Sequence, residues 1–231
     1  MWLYSLILLC SIIVPLALSF EKKLQFHKQW KYLFPAIILV SCIFISFDVY
    51  FTKIGVWGFN PAYHLNIVYL GLPIEEWLFF IIIPYASIFL HDSIVLHFPK
   101  ISLPNRVAFF LGLTITISLA VLAVLYHKKA YTVYIFITGF VAVVFSFFDK
   151  SKLINHYYIT FLIILVPFIV ANAILTGSFI ENEVVWYNKN ENLGIRVFTI
   201  PIEDFIYGFS LILLVLLLRE KIKKHLLFND K

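Results

Sequence analysis

Two short motifs in this sequence each place two adjacent acids behind a proline and an isoleucine. They are Pro73-Ile74-Glu75-Glu76, the first acid motif, and Pro201-Ile202-Glu203-Asp204, the second acid motif. No other Asp or Glu occurs in the apolar stretches 67–90 and 197–218 that contain them. A carboxylate at the centre of a bilayer costs about 2.5–3.5 kcal/mol on insertion scales, so acids in such stretches usually face a protein interior and mark a functional site. Carboxyl groups there could give protons to a substrate and take them back.

An ordinary helix start offers a second interpretation of each motif. Proline at the first helical position followed by acids in the first turn is typical of helix N-termini, where the carboxylates complement the helix dipole. Two such motifs, each with adjacent acids, favour a functional interpretation. Neighbouring side chains on a helix point about 100° apart. We therefore expect one acid of each pair to face a shared cavity and the other to hydrogen-bond to it or tune it.

Aromatic residues surround both motifs and make up 19% of the chain. Ring faces stabilise cations without supplying a nucleophile, and a dry cavity protects a cation from water. A carboxyl group desolvated among such rings would keep its proton and act as an acid, while a better solvated one would act as a base. The pattern suits a carbocation reaction on a hydrocarbon. The candidate substrate-binding residues are Trp77, Phe79, Phe80, Phe205 and Tyr207.

Three polar residues are candidates for supporting roles. Tyr207 follows Glu203 by four residues, so its hydroxyl could bond to that carboxyl, or it is an ordinary core or interfacial tyrosine. Asp48, near the end of the second predicted span, either joins the site or caps and pairs at the interface. Arg196 precedes the seventh span and either anchors it at the lipid headgroups or pairs with an acid. The seven His have no metal-ligand spacing, and no dinucleotide, phosphate-loop or serine-nucleophile motif occurs, so we expect no metal and no cofactor.

The composition requires lipid as the main solvent. Of the 231 residues, 62% are hydrophobic and 13% are charged, which is more apolar surface than a water-soluble domain of this length can bury. A membrane-spanning helix needs about 20 mostly apolar residues. We predict an all-α integral membrane protein of about seven transmembrane helices, in the segments 2–20, 33–51, 65–90, 106–126, 131–148, 157–177 and 197–218. Cys10 and Cys42 fall inside these spans and are expected to be small packing residues.

An internal repeat relates the two motifs. A shift of 128 residues places the first acid motif on the second and aligns residues 60, 65 and 67 with the identical residues at 188, 193 and 195. Spans one to three therefore correspond to spans five to seven. Because the copies are four spans apart, they cross the membrane in the same sense, which predicts a pseudo-twofold axis along the membrane normal and motifs that face each other across a central cavity. We divide the single membrane domain into a first repeat, 1–95, a connecting helix, 96–128, and a second repeat, 129–231.

Basic residues in the short loops predict the orientation. If the loop after the first span is cytoplasmic, 13 of the 18 Lys and Arg lie on that side, and the other side has Lys53, Lys128, Lys129, Lys189 and Arg196. By the positive-inside rule, the N-terminus is outside and the C-terminus is cytoplasmic in a cell membrane. The basic residues thus report topology, and we expect no nucleic-acid binding. The first span lacks the basic start of a signal peptide and is expected to be retained.

Both motifs and their flanking residues resemble a known family. The stretches Phe47–Phe89 and Glu191–Phe209 are similar to the two halves of the heterodimeric lycopene cyclases of bacteria and archaea, here fused in one chain. The resemblance implies a redox-neutral cyclisation of the ends of lycopene into β-rings, through γ-carotene to β-carotene. It also implies that both acid pairs supply the acid and base residues. Asp204 departs from the first motif in being shorter than Glu76 by one methylene.

The expected partners are the lipid bilayer and lycopene or a similar acyclic carotenoid. A homo-oligomer, or an association with other carotenoid enzymes, is also expected. Two other functions fit the same residues. A carotenoid hydratase, or another isoprenoid-modifying membrane enzyme, would end the same cation with water. A proton-coupled transporter also has parallel repeats and membrane carboxyl groups, but the acids here open helices without an interrupted half-helix.

Overall fold

The structure, a computed structural model, describes residues 2–229 and is built mainly from helices. Seven α-helices follow one another along the chain: α1 Leu3–Leu18, α2 Trp30–Lys53, α3 Ile74–His97, α4 Asn105–Leu125, α5 Ala130–Phe147, α6 Leu153–Leu175 and α7 Ile202–Asn229. A short 3-10 helix, Phe26–Gln29, leads into α2. Six strands of two or three residues lie in the connections: β1 Trp57–Phe59, β2 Val68–Tyr69, β3 Leu72–Pro73, β4 Val185–Tyr187, β5 Arg196–Val197 and β6 Ile200–Pro201.

These helices confirm the predicted all-α membrane protein. Within residues 2–229, five helices are long and apolar enough to cross a bilayer, namely α2 with its preceding 3-10 helix and α3 to α6. α1 is also apolar, but its 16 residues are fewer than the roughly 20 that a membrane span needs. α7 differs from the five long apolar helices in that it carries its acid pair in the first turn. Large hydrophobic side chains such as Leu9, Phe110 and Val166 are exposed on the outer helix faces. Apolar surface of this extent is typical of contact with lipid.

The third and seventh predicted spans begin too early. α3 begins at Ile74 rather than at residue 65, and α7 begins at Ile202 rather than at residue 197. Before each helix the chain forms a hairpin, β2–β3 or β5–β6. Leu70 and Phe198 in these hairpins have φ angles of 51° and 56°, which an α-helix cannot contain because its φ is near −63°. Both acid pairs therefore lie in the first turn of a helix.

A short antiparallel ladder marks the predicted twofold relation. β1 pairs with β4, and Gly58 lies opposite Trp186, its equivalent in the repeat. Two equivalent hydrogen bonds flank the ladder, one donated by the Asn60 N–H (2.9 Å) and one by the Asn188 N–H (2.8 Å). Equivalent residues face each other across a twofold axis, so the pseudo-twofold axis passes through this ladder.

The helices pack in the same twofold pattern. α1 packs against α3 as α5 packs against α7, and α2 packs against α7 as α6 packs against α3. This arrangement confirms the predicted repeat of spans one to three in spans five to seven. α4 packs against α5, and in the described part of the chain no helix covers α1 in the equivalent way. The borders of the three predicted segments, at 95 and 128, stay a prediction.

The centre of the bundle is held by apolar packing and one buried ion pair. Side chains of α2, α3, α6 and α7 form the main core, including Phe44, Phe80 and Leu213. Towards the other ends of α3 and α7, Arg219 donates to both oxygens of Asp92 at 2.6 and 3.1 Å. The pair joins α3 to α7, the two helices that carry the acid motifs.

The two cysteines lie on outer helix faces. Cys10 in α1 and Cys42 in α2 are both free and exposed. The sequence predicts small packing residues at both positions, but their exposure places them on faces that do not pack against other helices. Residues of one helix point in all directions, so a position inside a span does not settle which face it occupies.

Candidate active site

The outer acid of the first motif, Glu75, anchors the connection that precedes its helix. Its Oε1 accepts hydrogen bonds from Ser5 Oγ at 2.7 Å and from the Leu65 N–H at 2.8 Å. Its Oε2 is buried and accepts no hydrogen bond from the part of the chain that the structure describes. Glu75 therefore ties the start of α3 to α1 and to the loop before the β2–β3 hairpin.

The outer acid of the second motif, Glu203, has the same environment. Its Oε1 accepts hydrogen bonds from Thr132 Oγ1 and from the Leu193 N–H, both at 2.7 Å. Its Oε2 is likewise buried without a partner. The two outer acids are thus equivalent in structure as well as in sequence.

The inner acid of the first motif, Glu76, lies about 100° around the helix from Glu75 and has different neighbours. The hydroxyl group of Tyr4 in α1 donates a hydrogen bond of 2.5 Å to Glu76 Oε2. This is the hydrogen bond that the structure gives to the Glu76 carboxyl group, and Glu76 lines a cavity at the centre of the bundle. Its second oxygen is left free to meet a substrate.

The inner acid of the second motif, Asp204, is held more tightly. Tyr131 of α5 donates a short hydrogen bond to Oδ1, while Asn172 of α6 and Tyr187 of β4 donate to Oδ2 at 3.1 and 3.0 Å. Burial, reinforced by the neighbouring Asp204 charge, raises the pKa of Tyr187 well above its usual value, so this phenol keeps its proton and remains a donor. Three donors stabilise the charged form of a carboxyl group.

Asp48 of α2 is a third buried acid at the same place. Its Oδ1 accepts a hydrogen bond from Trp57 Nε1 at 2.6 Å, and its Oδ2 is buried without a partner. Of the two interpretations from the sequence, joining the site and pairing at the interface, the structure favours the first, since the side chain is 3% exposed and lines the central cavity.

A single cavity of about 70 Å³ brings these groups together. Its polar side chains come from both repeats: Tyr4, Asp48, Glu76, Tyr131, Asn172, Tyr187, Asp204 and Tyr207. None of the described residues that line it is Lys, Arg or His. The volume corresponds to about two water molecules, and the remaining wall is aromatic and aliphatic. The two motifs thus form one site rather than two.

This arrangement can transfer protons in a dry environment. Glu76 has one donor and a free oxygen, whereas Asp204 has three donors, so a negative charge is better stabilised on Asp204 than on Glu76. Carboxyl groups with such different surroundings are suited to separate acid and base roles. Within residues 2–229, no group of His, Cys, Asp and Glu has the arrangement of a metal site.

Comparison with protein families identifies the chain. The model of the family described as Lycopene cyclase matches residues 1–94 and 128–222. The chain belongs to the lycopene cyclase family. Each matched segment contains one acid motif, and the resemblance found in the sequence is confirmed. No curated protein and no solved structure matches the chain.

Membership of the lycopene cyclase family makes this protein an enzyme of carotenoid biosynthesis. Its substrate is a carotenoid, and its apolar helices place it in a membrane. Both matched segments contribute acids and tyrosines to the one cavity.

The predicted aromatic residues divide into two groups in this lycopene cyclase family member. Phe79 and Tyr207 line the cavity. Trp77 instead packs on Tyr69 of the hairpin with ring centroids 5.3 Å apart. Phe80 and Phe205 lie beside the cavity-lining residues: Phe80 stands 6.3 Å from the Tyr207 ring, and Phe205 stands 5.4 Å from the Phe168 ring.

Two residues had alternative predicted roles. Among the described residues, the Glu203 carboxyl accepts from α5 and a loop, not from Tyr207. The Tyr207 ring instead packs against Phe44 at 5.2 Å, as in the alternative of a core tyrosine. Arg196 lies in the β5–β6 hairpin, outside the cavity lining, where its guanidinium donates to the Thr199 carbonyl and stands 5.9 Å from the Tyr187 ring. Its anchoring at the lipid headgroups stays a prediction.

The hydrogen-bond donors that hold the acid motifs are absent from the residues predicted from the sequence. Tyr4 and Ser5 in α1 bond to the first acid pair, and Tyr131 and Thr132 in α5 bond to the second. A signal was present, because each helix begins with a tyrosine followed by a hydroxyl residue at an offset of 127 residues. Extending the repeat to the first and fifth spans would have found these four residues.

Proposed function

We propose that this protein is a lycopene β-cyclase. It would convert lycopene through γ-carotene to β-carotene by a redox-neutral reaction within the membrane, as an intramolecular lyase or isomerase. The observation that carries the proposal is the single aromatic cavity at which Glu76 and Asp204, one inner acid from each repeat, are brought together.

The chemistry needs one proton donor and one proton acceptor. The acid protonates the terminal double bond of the polyene, which leaves a tertiary cation. An internal double bond attacks this cation, so the ring carbon–carbon bond forms and the cation moves into the ring. Loss of a proton from a ring carbon to the base then creates the ring double bond. One proton enters and one leaves, so the reaction consumes no reductant.

Glu76 fits the role of the acid and Asp204 fits the role of the base. Glu76 has a free oxygen at the cavity and one hydrogen-bond donor, Tyr4. Protonation of Glu76 therefore loses less hydrogen-bond stabilisation of the carboxylate than protonation of Asp204 would. Asp204 is surrounded by three donors, which favour the carboxylate that accepts a proton. General acid and base groups of this kind contribute about 10²–10⁴-fold each. The outer acids, Glu75 and Glu203, would then support the site by fixing the helix starts.

The aromatic wall supplies the remaining requirement. Rings of Trp57, Phe79, Phe168 and Tyr207 border the cavity, and their faces would stabilise the cationic intermediate without capturing it. The lining is mainly apolar, and exclusion of water from it during the reaction would keep the cation from ending as an alcohol. Admission of a carotenoid end requires these side chains to move apart.

Expression in a lycopene-producing bacterium, followed by pigment chromatography, tests this function. We expect γ-carotene and β-carotene from the intact chain. A double variant with both Glu76→Gln and Asp204→Asn, present in the membrane at the same level, should leave lycopene unchanged. Unchanged lycopene with the well-inserted intact protein would refute the cyclase assignment. A hydroxylated carotenoid instead of a ring product would identify the hydratase.

We also propose that the site lies at the outer side of a cell membrane. The N-termini of α3, α5 and α7 all contribute acids or tyrosines to the site, so these helices run in the same direction, as the loop charges predict. The N-terminus would be outside and the C-terminus cytoplasmic. Fusing a reporter that is active only in the cytoplasm to the C-terminus, and one active only outside to the loop before α3, checks this orientation.

A further inference from the structure

The two halves of the cavity differ at one pair of equivalent positions. α2 and α6 correspond at an offset of 124 residues, which aligns Thr52 with Thr176 at the helix ends and Phe44 with Phe168 near the cavity. The same offset aligns Asp48 with Asn172. Both of these last side chains line the cavity, so the first repeat contributes a carboxyl group where the second contributes an amide.

This difference changes what surrounds each inner acid. In the second repeat, Asn172 donates its amide N–H to Asp204. In the first repeat, Asp48 borders the same cavity as Glu76 and, when ionised, has no proton to donate. Asp48 Oδ2 is buried, and none of residues 2–229 forms a hydrogen bond with it. One inner acid is therefore hydrogen-bonded to an amide donor, whereas the other shares its cavity with a second acid.

We propose that Asp48 is a positioning residue for the catalytic proton: Asp48 and Glu76 hold one proton between them, which makes the first repeat the proton-donating half of the site. This inference rests on the proposed cyclase function and deepens it. Asp48 acts through Glu76 and need not touch the carotenoid.

The physical reason is repulsion between two like charges in a dry cavity. Two carboxylates that share such a site do not both ionise readily, and one retains a proton. The titratable groups that face Asp48 come from five elements and are all acids or phenols: Tyr4, Glu76, Tyr131, Tyr134, Tyr187, Asp204 and Tyr207. Since none of these groups is a cation, none can offset a second negative charge beside Glu76.

The proton balance closes over one turnover. Glu76 transfers its proton to the less substituted carbon of the terminal double bond, which leaves the tertiary cation on the other carbon. The Asp48–Glu76 pair then carries one further negative charge, which stabilises the nearby cation. Asp204 removes the ring proton and becomes neutral. Return of that proton to the Asp48–Glu76 pair restores both acids, so no proton is consumed and no redox partner is required.

The pH dependence of the full-length protein in proteoliposomes, with lycopene as substrate, tests the inference. In Asp48→Asn, Glu76 loses its charged neighbour and gives up its proton at lower pH. We expect the alkaline fall in activity to move down by about one pH unit or more, with activity regained at lower pH. Asp48→Glu should restore the original profile. An equal loss of activity at every pH, or no change at all, would overturn the proposal.

A variant of the second repeat tests the same rule independently. Asn172→Asp places a second acid beside Asp204, which then binds its proton more tightly and must lose it before acting as the base. We expect the acidic fall in activity to move up in pH, while the alkaline fall stays where it is in the natural protein. If the acidic fall in activity stays at the pH found in the natural protein, the proposal that Asp48 and Asn172 set the proton affinities of the two inner acids is contradicted.

An infrared titration separates this inference from the cyclase assignment. The carbonyl stretch of protonated carboxyl groups reports the shared proton without any substrate. In Asp48→Asn the band assigned through Glu76→Gln should disappear at lower pH than in the natural protein, and the same titration in both proteins would refute the proton sharing. If the natural protein forms no ring product, the cyclase proposal fails while this titration still decides whether the proton is shared.

Discussion

The two acids of each motif are neighbours in the chain but lie in different surroundings. Outer acids bond to a hydroxyl residue and a loop N–H, and inner acids bond to a tyrosine and line the cavity. The two interpretations of the motifs from the sequence, structural and functional, both stay predictions. We propose a supporting role for Glu75 and Glu203, which hold the helix starts, and a chemical role for Glu76 and Asp204, which line the cavity.

This division predicts different effects for neighbouring substitutions. Glu76→Gln removes the proposed proton donor, and we expect ring formation to fall by about 10²–10⁴-fold. Glu75→Gln keeps an oxygen that can accept from Ser5 and from the Leu65 N–H, so the loss should be much smaller. Chromatography of pigments from cells with equal membrane levels of each variant gives the comparison. Equal activity of the two variants would argue against the inner acid as donor.

At the scale of elements, the hairpins and the central ladder place the acids at the cavity. The β2–β3 and β5–β6 hairpins end directly at the first turns of α3 and α7. The β1–β4 ladder brings Trp57 and Tyr187, partners of Asp48 and Asp204, to opposite sides of the axis. The strands in these connections therefore position the residues of the site, as the helices also do.

Gly58 is the position at which the ladder is most sensitive to a side chain. A Cβ there would stand 2.4 Å from the Trp186 ring, so we expect Gly58→Ala to lower stability by about 1–3 kcal/mol through overpacking. Thermal unfolding of the purified protein in detergent measures the change. In a Gly58→Ala/Trp186→Ala variant the clash is absent, and the penalty should be smaller than the sum of the two single changes. Additive losses would contradict this account.

The ion pair between α3 and α7 is a second test at this scale. Arg219 is 5% exposed and donates two bonds to Asp92. Arg219→Ala leaves the partly buried Asp92 carboxylate without this partner. We expect a cost below the roughly 3–5 kcal/mol of a fully buried pair, and the unfolding temperature should fall accordingly. Arg219→Met combined with Asp92→Asn removes both charges and should recover most of the loss. A recovery no better than Arg219→Ala alone would show that the charges are not the cause.

The whole molecule forms one site from two repeats. α2 packs against α7, α6 packs against α3, and the β1–β4 ladder crosses the axis between the repeats. Neither repeat alone contains both inner acids. A carotenoid has two ends, so the proposed conversion to β-carotene at this one cavity would take two separate binding events.

Dividing the chain tests this dependence. A cut in the connection between α3 and α4, residues 98–104, separates Glu76 from Asp204 without interrupting a helix. We expect each fragment alone to leave lycopene unchanged and the two expressed together to form rings, because the cavity needs both. Pigment chromatography measures the result, with the intact chain as the reference. Activity of either fragment alone would refute a shared site.

The sequence by itself determined the membrane class, the repeat and the two acid motifs. Apolar composition sets the solvent of a chain, and the 128-residue offset is a property of the letters alone. Both are independent of how the helices pack. The motifs could be identified for the same reason, because acids within an apolar stretch stand out in the sequence whatever the position of the helix in the fold.

Only the tertiary structure decided which acids meet. Contacts such as Tyr4 with Glu76 and Tyr131 with Asp204 join residues more than 70 positions apart, and they depend on how α1 packs on α3 and α5 on α7. The left-handed backbone at Leu70 and Phe198 was equally hidden, because hydropathy does not distinguish a hairpin of apolar residues from the start of a helix. The entry of Asp48 into the cavity opposite Asn172 also depends on packing, because a side chain's position within a span does not say which way it points.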